Sequence, residues 1–405
     1  MNNTISPEFI RRIPKTDLHV HLDGSLRIPT LIELAQEAGV ELPANDEAGL
    51  KKAVFKESYA SLPEYLQGFA YTCAVLQTAP NLERVAYELG QDNIEEGVRY
   101  VEVRFAPQLH TRDDFPIADV VAAVAKGMDR AKAEHNASDA VQTGEDIPFE
   151  YGIIICALRS FNEHMSDYYR RILGIMSYAK KKDVFAAASL EIARAAVAMA
   201  QRDGLPVVAF DLAGEEAGYP ADDHHEAFGY AHKHFLRKTV HAGEAYGPES
   251  IFQAITDCHA NRIGHGTFLF AEDMINNPAI EDPAMYTRLL AEYIASQRIA
   301  IEVNLTSNLQ TTPSIKSVAD HPIKQMLEHN LSVSICTDNR LVSSTTVSRE
   351  FEILVKELPV TPQQFRNLVI SGFKGSFYPG SYNDKRRYVR QVINRYETLE
   401  RELLR

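Results

Sequence analysis

An α/β fold, a (β/α)₈ TIM barrel with extra helices inserted after strand 1 and at the C-terminus, is predicted by three features of the sequence. Eight short apolar runs rich in Val, Ile and Phe are spread along the 405 residues. Segments with a 3.6-residue apolar period and helix-forming composition separate them, such as NLERVAYELGQDNIEEG and DVFAAASLEIARAAVAMAQRDG. No repeat, low-complexity tract or Pro/Gly-rich linker marks a boundary, so residues 1–405 read as a single domain. Strands that alternate with helices build a parallel sheet, and eight such units close it; about 250 residues is typical and more than 400 occurs with insertions.

The runs are DLHVH at 17–21, YVEVRFA at 100–106, YGIIICAL at 151–158 and VVAFDLAG at 207–214. They continue with TVHAG at 239–243, RIGHG at 262–266, IEVNLTSN at 301–308 and SVSICTD at 332–338. Residues 1–12 are expected as an N-terminal tail and about 375–405 as a C-terminal helical extension. The stretch from Asp23 to Arg99 is far longer than one crossover needs, so its helices are expected over the barrel mouth. Within it FKESYASLPEYLQGFAY, residues 55–71, reads equally as a helical lid or as ordinary amphipathic packing.

Strand side chains alternate between two faces, so each run can be divided. The first gives Leu18, Val20 and Leu22 against Asp17, His19, His21 and Asp23. The seventh gives Ile301, Val303 and Leu305 against Glu302, Asn304 and Thr306; the eighth gives Val333 and Ile335 against Ser334, Cys336 and Asp338. Apolar faces must meet the surrounding helices, so the polar sets point to the barrel axis, where they are costly unless they bind something.

Barrel sites form at the C-terminal strand ends. His19 and His21 lie there on the first strand, with His241 ending the fifth run, His265 the sixth and Asp338 the eighth, and Glu244 three residues beyond His241. Imidazoles and a carboxylate meeting at one mouth form the donor set that zinc prefers, with room for a water whose pKa would fall from 15.7 toward about 7. A lone strand-end histidine such as His265 is more often a hydrogen-bonded core residue. The H-x-H of His19 and His21 on an inward face is the stronger metal signal.

HVHLDGS, YVEVRFAPQLH, DLAGEE, TVHAGE, RIGHG and SICTDN occur in this order, and together they resemble the signatures of the adenosine deaminase family over roughly residues 14–370. The resemblance implies one Zn²⁺ per chain in a (β/α)₈ barrel and hydrolysis of the 6-amino group of adenosine, with 2′-deoxyadenosine, to inosine and ammonia. It implies His19, His21, His241 and Asp338 as zinc ligands. Glu244 would be the acid that protonates purine N1, His265 would take or hold the proton of the attacking water, and Asp338 would also orient that water. Gly214 would let the backbone approach N3. His21 would also belong to the substrate-binding set, and Asp23 would accept a ribose hydroxyl, the alternative being a turn or cap before a helix near Ile28.

The family commonly has two consecutive aspartates where this chain has Asp338 and Asn339, followed by Arg340. An asparagine amide donates to N7 without needing a proton, so Asn339 is expected to keep that contact. The change equally fits another 6-aminopurine substrate: adenine, a modified adenosine or aminodeoxyfutalosine. A non-catalytic zinc-binding barrel would be expected to lack Glu244, which is present.

Other chemistries find less support. His224, His225 and Glu226 form an H-x-E, but no C-x-x-C accompanies it, and His224 to His234 are expected on an exposed helix. Run four carries no lysine to bridge two metal ions. A formal charge of −13 without a basic stripe argues against nucleic acid and anionic membranes as partners, and no apolar run approaches the roughly 20 residues of a bilayer span. The N-terminal stretch lacks a secretory pattern, and Cys73, Cys156, Cys258 and Cys336 are expected as buried free thiols, so a cytoplasmic protein with a small purine nucleoside as partner is expected.

Overall fold

The computed structural model describes residues 5–404, the side chains of 62 and 63 excepted. Its sheet has eight strands in the order β1 to β8, each parallel to the next. These are β1 (Lys15–His21), β2 (Val98–Phe105), β3 (Glu150–Leu158) and β4 (Val207–Ala213), then β5 (Arg237–Ala242), β6 (Arg262–His265), β7 (Ala300–Val303) and β8 (Ser332–Ile335). The ring closes where Asp338 reaches back to β1: His21 N–H donates to the Asp338 carbonyl and Asp338 N–H to the His19 carbonyl, both at 2.7 Å.

The helices start where side-chain oxygens satisfy their free N–H groups, as Asp282 does for the Met285 N–H of Pro283–Gln297. Thr361 and Gln364 form a capping box on Pro362–Gly375. Between β1 and β2 lie the expected insertions, Ile28–Ala38, Glu47–Ala53, Leu62–Leu66, Gly68–Val75 and Ala79–Glu95. They are fastened to the segment after β8, because the Tyr59 hydroxyl donates to the Val342 carbonyl (2.9 Å) and the Tyr65 hydroxyl lies 2.8 Å from Ser343 Oγ. The Phe69 ring stands edge-on to His21, centroids 6.5 Å apart. The C-terminal extension contains the helix Tyr382–Leu403.

Several expectations change. Part of the predicted tail is a helix, Pro7–Arg12, with Phe9 and Ile10 buried, while residues 1–4 lie outside the described residues. The seventh run ends as a strand at Val303, and Leu305–Thr311 is helical, so Thr306 is not on a strand face. The eighth strand ends at Ile335; Asp338 takes a left-handed φ of 62°, which breaks the period of two. His224 is buried with Nδ1 2.8 Å from Ser189 Oγ, so only His225 and His232 fit the exposed-helix expectation. The four cysteines are free, three of them buried and Cys73 half-buried.

Instead of branched apolar layers, the barrel axis carries paired charges. Arg104 on β2 reaches Asp211 on β4 (2.8 Å) and Glu302 on β7 (2.7 Å). Arg262 on β6 contacts Glu302 (2.6 Å) and Glu102, and its guanidinium lies 3.7 Å over the Phe377 ring, which closes the N-terminal end. Such ions survive burial because each has a partner of opposite charge.

Candidate metal centre and active site

The strand ends above this charged axis bring His19, His21, His241, His265 and Asp338 together. Donor atoms of His19, His241, His265 and Asp338 all lie within 4.8 Å of one another. His21 joins them through Nε2, 3.2 Å from His241 Nε2 and 3.4 Å from Asp338 Oδ1. The expected ligands therefore converge, with His265 as a fifth donor beside them.

Which nitrogen each ring presents follows from what lies beneath it. His19 Nδ1 is 2.8 Å from Glu302 Oε2, and His241 Nδ1 is 3.1 Å from Asp211 Oδ2. An acceptor-only carboxylate fixes the proton on Nδ1 and leaves Nε2 with its lone pair facing the mouth. Burial, with Arg104 adding to it, pulls the His19 pKa down to about 4, so the ring is neutral near pH 7. Burial acts the same way on His241, but the Asp211 charge outweighs it and raises the ring above its usual value, which makes it a more basic donor.

Asp338 Oδ2 accepts a hydrogen bond from Ser307 Oγ (2.6 Å), while Oδ1 lies 3.4 Å from Nε2 of both His19 and His21. His19 Nε2 is buried and has no hydrogen-bond partner. Lone pairs and a carboxylate oxygen aimed at one point, with one donor atom left orphaned, are unfavourable unless a cation takes the place of the missing protons. The residues thus fit a bound metal ion.

His265 is different. The amide nitrogens of Asn308 (3.0 Å) and Asn304 (3.3 Å) lie against its Nδ1, so Nδ1 accepts and the proton sits on Nε2. Nε2 is 3.7 Å from Glu244 Oε1. His265 also takes a left-handed φ of 66°, like Asp338, so both residues are held in a conformation that L-residues rarely adopt. Burial raises the Glu244 carboxyl above its usual value, opposed by His265 and His241.

The remaining predicted residues have other partners. Gly214, at the end of β4, has a φ of 97°, which favours glycine. The Asn339 amide nitrogen is 2.8 Å from the Tyr65 hydroxyl, and its oxygen packs against Gly24, where a Cβ would stand 1.8 Å away. Asp23 is buried with Oδ1 unpartnered and Oδ2 3.8 Å from Cys73 Sγ.

Sequence reasoning missed Glu216. Its carboxylate accepts the backbone N–H groups of Gly243 (3.0 Å), Glu244 (2.9 Å), Ala245 (2.6 Å) and Tyr246 (3.1 Å), along with the Ser250 hydroxyl. It therefore sets the path of the loop that carries Glu244. The acidic pair after DLAG was the available signal, but nothing local shows which backbone it serves.

The model of the family described as adenosine deaminase matches residues 14–395. The chain belongs to the adenosine deaminase family. It is 37% identical over 396 residues to adenosine deaminase 1 of Streptomyces coelicolor, covering 97% of this chain and 89% of that one. It is 34% identical over 402 residues to adenosine deaminase of Mycobacterium avium, covering 98% and 100%. Among solved structures, an adenine deaminase from Arthrobacter aurescens aligns with a TM-score of 0.72 at 24% identity, covering 94% and 98%. An amidohydrolase from Burkholderia ambifaria with bound Zn aligns at 0.76 and 19%, covering 98% and 94%. These two structures share the barrel fold. In this family member the histidines of HVH and TVHAGE form a convergent donor set. Among the described residues no helix is long and apolar enough to cross a membrane.

Proposed function

We propose that this adenosine deaminase family member hydrolyses adenosine, and 2′-deoxyadenosine, to the inosine product and ammonia, using one zinc ion per chain. The observation that carries the reading is the meeting of the His19 and His241 Nε2 lone pairs with Asp338 Oδ1, beside a half-buried Glu244. His19, His21, His241 and Asp338 would hold the ion, which when bound supplies a Lewis acid that makes water nucleophilic near neutral pH.

The chain's own groups do the rest. Glu244, kept more protonated by burial, gives a proton to purine N1. His265 donates from Nε2 and holds the attacking water, and the Asp338 carboxylate orients it. The backbone at Gly214 approaches N3, Asp23 accepts a ribose hydroxyl, and Asn339 donates to N7 through the amide hydrogen not used on Tyr65.

Adenosine is preferred over adenine or N6-modified nucleotides because the relatives at 37% and 34% identity carry the adenosine deaminase name. The adenine deaminase and the Arabidopsis N6-mAMP deaminase match at only 24%. Four free cysteines fit a reducing compartment, so we place the reaction in the cytoplasm. Ammonia release and ultraviolet absorbance across adenosine, 2′-deoxyadenosine, adenine, N6-methyl-AMP and aminodeoxyfutalosine test the reading. Highest kcat/KM on adenosine supports it. No ammonia from any of them in zinc-loaded protein would leave a non-catalytic barrel.

A further inference from the structure

Beside the proposed active site lies a second group of donors. Ligand atoms of Asp23, Cys73 and His110 all fall within 4.8 Å of one another. Asp23 comes from the segment after β1, Cys73 from the helix Gly68–Val75, and His110 from just after the turn Pro107–Leu109 that follows β2. Three separate parts of the chain therefore build it. His110 is fully buried, and neither ring nitrogen has a hydrogen-bond partner; Asp23 Oδ1 is buried and also unpartnered.

A neutral imidazole has one N–H donor and one acceptor, and leaving buried polar groups unmet costs about 1–3 kcal/mol each. The Phe105 ring packs beside His110, with centroids 6.0 Å apart. Thiol, imidazole and carboxylate together form a zinc donor set. Bond lengths of about 2.0–2.3 Å put tetrahedral ligand atoms roughly 3.3–3.8 Å apart. The Cys73 Sγ to Asp23 Oδ2 separation of 3.8 Å is at that spacing.

We propose that Asp23, Cys73 and His110 form a second binding site for a thiophilic divalent cation, Zn²⁺ in the first instance, separate from the His19, His21, His241 and Asp338 centre. Filling it releases the thiol proton and gives one ring nitrogen of His110 and the Asp23 carboxylate a charged partner. A fourth position is open to water. On the reading of Asp23 as a ribose-binding residue, an ion here displaces the nucleoside, so Zn²⁺ beyond the first equivalent inhibits competitively.

The test is titration of metal-free full-length protein with Co²⁺ and Zn²⁺, following bound metal per chain and thiolate-to-cobalt charge-transfer absorption. Wild type is expected to bind two ions, one of them with the thiolate band. Cys73→Ser and His110→Ala are each expected to bind one without the band while unfolding cooperatively near the wild-type temperature. His19→Ala is expected to keep the band. A single ion per chain in wild type, a second ion without a thiolate band, or a band that persists in Cys73→Ser would overturn the site. These readouts need no turnover, so they stand or fall separately from the proposed deamination. Competitive inhibition by excess Zn²⁺, lost in Cys73→Ser, is then the check on the consequence for substrate.

Discussion

Glu302 Oε2 lies 2.8 Å from His19 Nδ1, and this one contact decides that the opposite ring nitrogen faces the barrel mouth. The same carboxylate balances Arg104 and Arg262. Glu302→Gln is expected to weaken metal binding about 10–100-fold, the usual effect of removing the partner of a ligating histidine. It should also cost about 3–5 kcal/mol, since two buried guanidinium groups lose a counter-charge. Chelator competition and urea unfolding measure the two effects; unchanged metal affinity would show that Glu302 does not orient His19.

Acid and metal roles separate cleanly. Glu244→Gln is expected to keep zinc and lose about 10²–10⁴ in kcat, because the amide cannot give up a proton to N1. His19→Ala should lose the metal itself. Zinc content measured alongside kinetics distinguishes them, and equal metal loss in both variants would contradict the assignment.

The Tyr65 hydroxyl, 2.8 Å from the Asn339 amide nitrogen, points that amide. Wild type should therefore discriminate adenosine from 7-deazaadenosine, which lacks the N7 acceptor. Asn339→Ala should narrow the ratio of their kcat/KM values by about tenfold, the worth of about 1.4 kcal/mol. Tyr65→Phe should narrow it less. An unchanged ratio in Asn339→Ala would refute the N7 contact.

Glu216 gathers four consecutive backbone N–H groups around the loop bearing Glu244. In Glu216→Gln the side-chain NH₂ must face some of those donors, and the loop shifts. A fall in kcat of about 10²-fold with zinc retained is expected, since small misplacements of a reacting group are that costly. Normal kcat in this variant would show that the loop holds its path by other contacts.

Stability should carry a pH signature from Lys15. Its Nζ donates to the carbonyls of Ile10 (2.6 Å), Arg11 (3.1 Å) and Ile13 (3.0 Å), closing the C-terminal end of the helix Pro7–Arg12. Burial lowers its pKa from 10.5 to about 7. Between those values the unfolded chain binds more protons than the folded one, so this group makes stability rise with pH across that window and leaves it flat below. Lys15→Met should remove that part of the slope and cost about 1–3 kcal/mol through unpartnered carbonyls. Urea midpoints of both proteins at about pH 6 and about pH 9 check this; equal pH dependence would exclude Lys15 as the source.

The barrel and the convergence of its histidines were legible because strand periodicity is local: His19 and His21 share a face by arithmetic alone. What escaped the sequence depends on distant partners. Arg104 and Arg262 sit in β2 and β6, and only closure of the sheet shows them meeting Glu302 and Asp211. The seventh run continued its polar alternation past Val303, yet the chain turns at Asn304 into a helix that brings Ser307 to Asp338 and Asn308 to His265. Period two cannot distinguish a strand from such a short helix. His110 was visible as a letter in YVEVRFAPQLH, but its neighbours Asp23 and Cys73 come from other segments.

Arg104 has a wider consequence. One of its nitrogens engages the carboxylate beneath His241 and another the carboxylate beneath His19. Two imidazoles on β1 and β5 are thereby referred to one rigid fork on β2, and any lateral drift of that strand displaces both together. Substitutions at Asp211 and Glu302 will consequently not be additive, and the spacing of the donors belongs to the girth of the whole barrel instead of to either strand end.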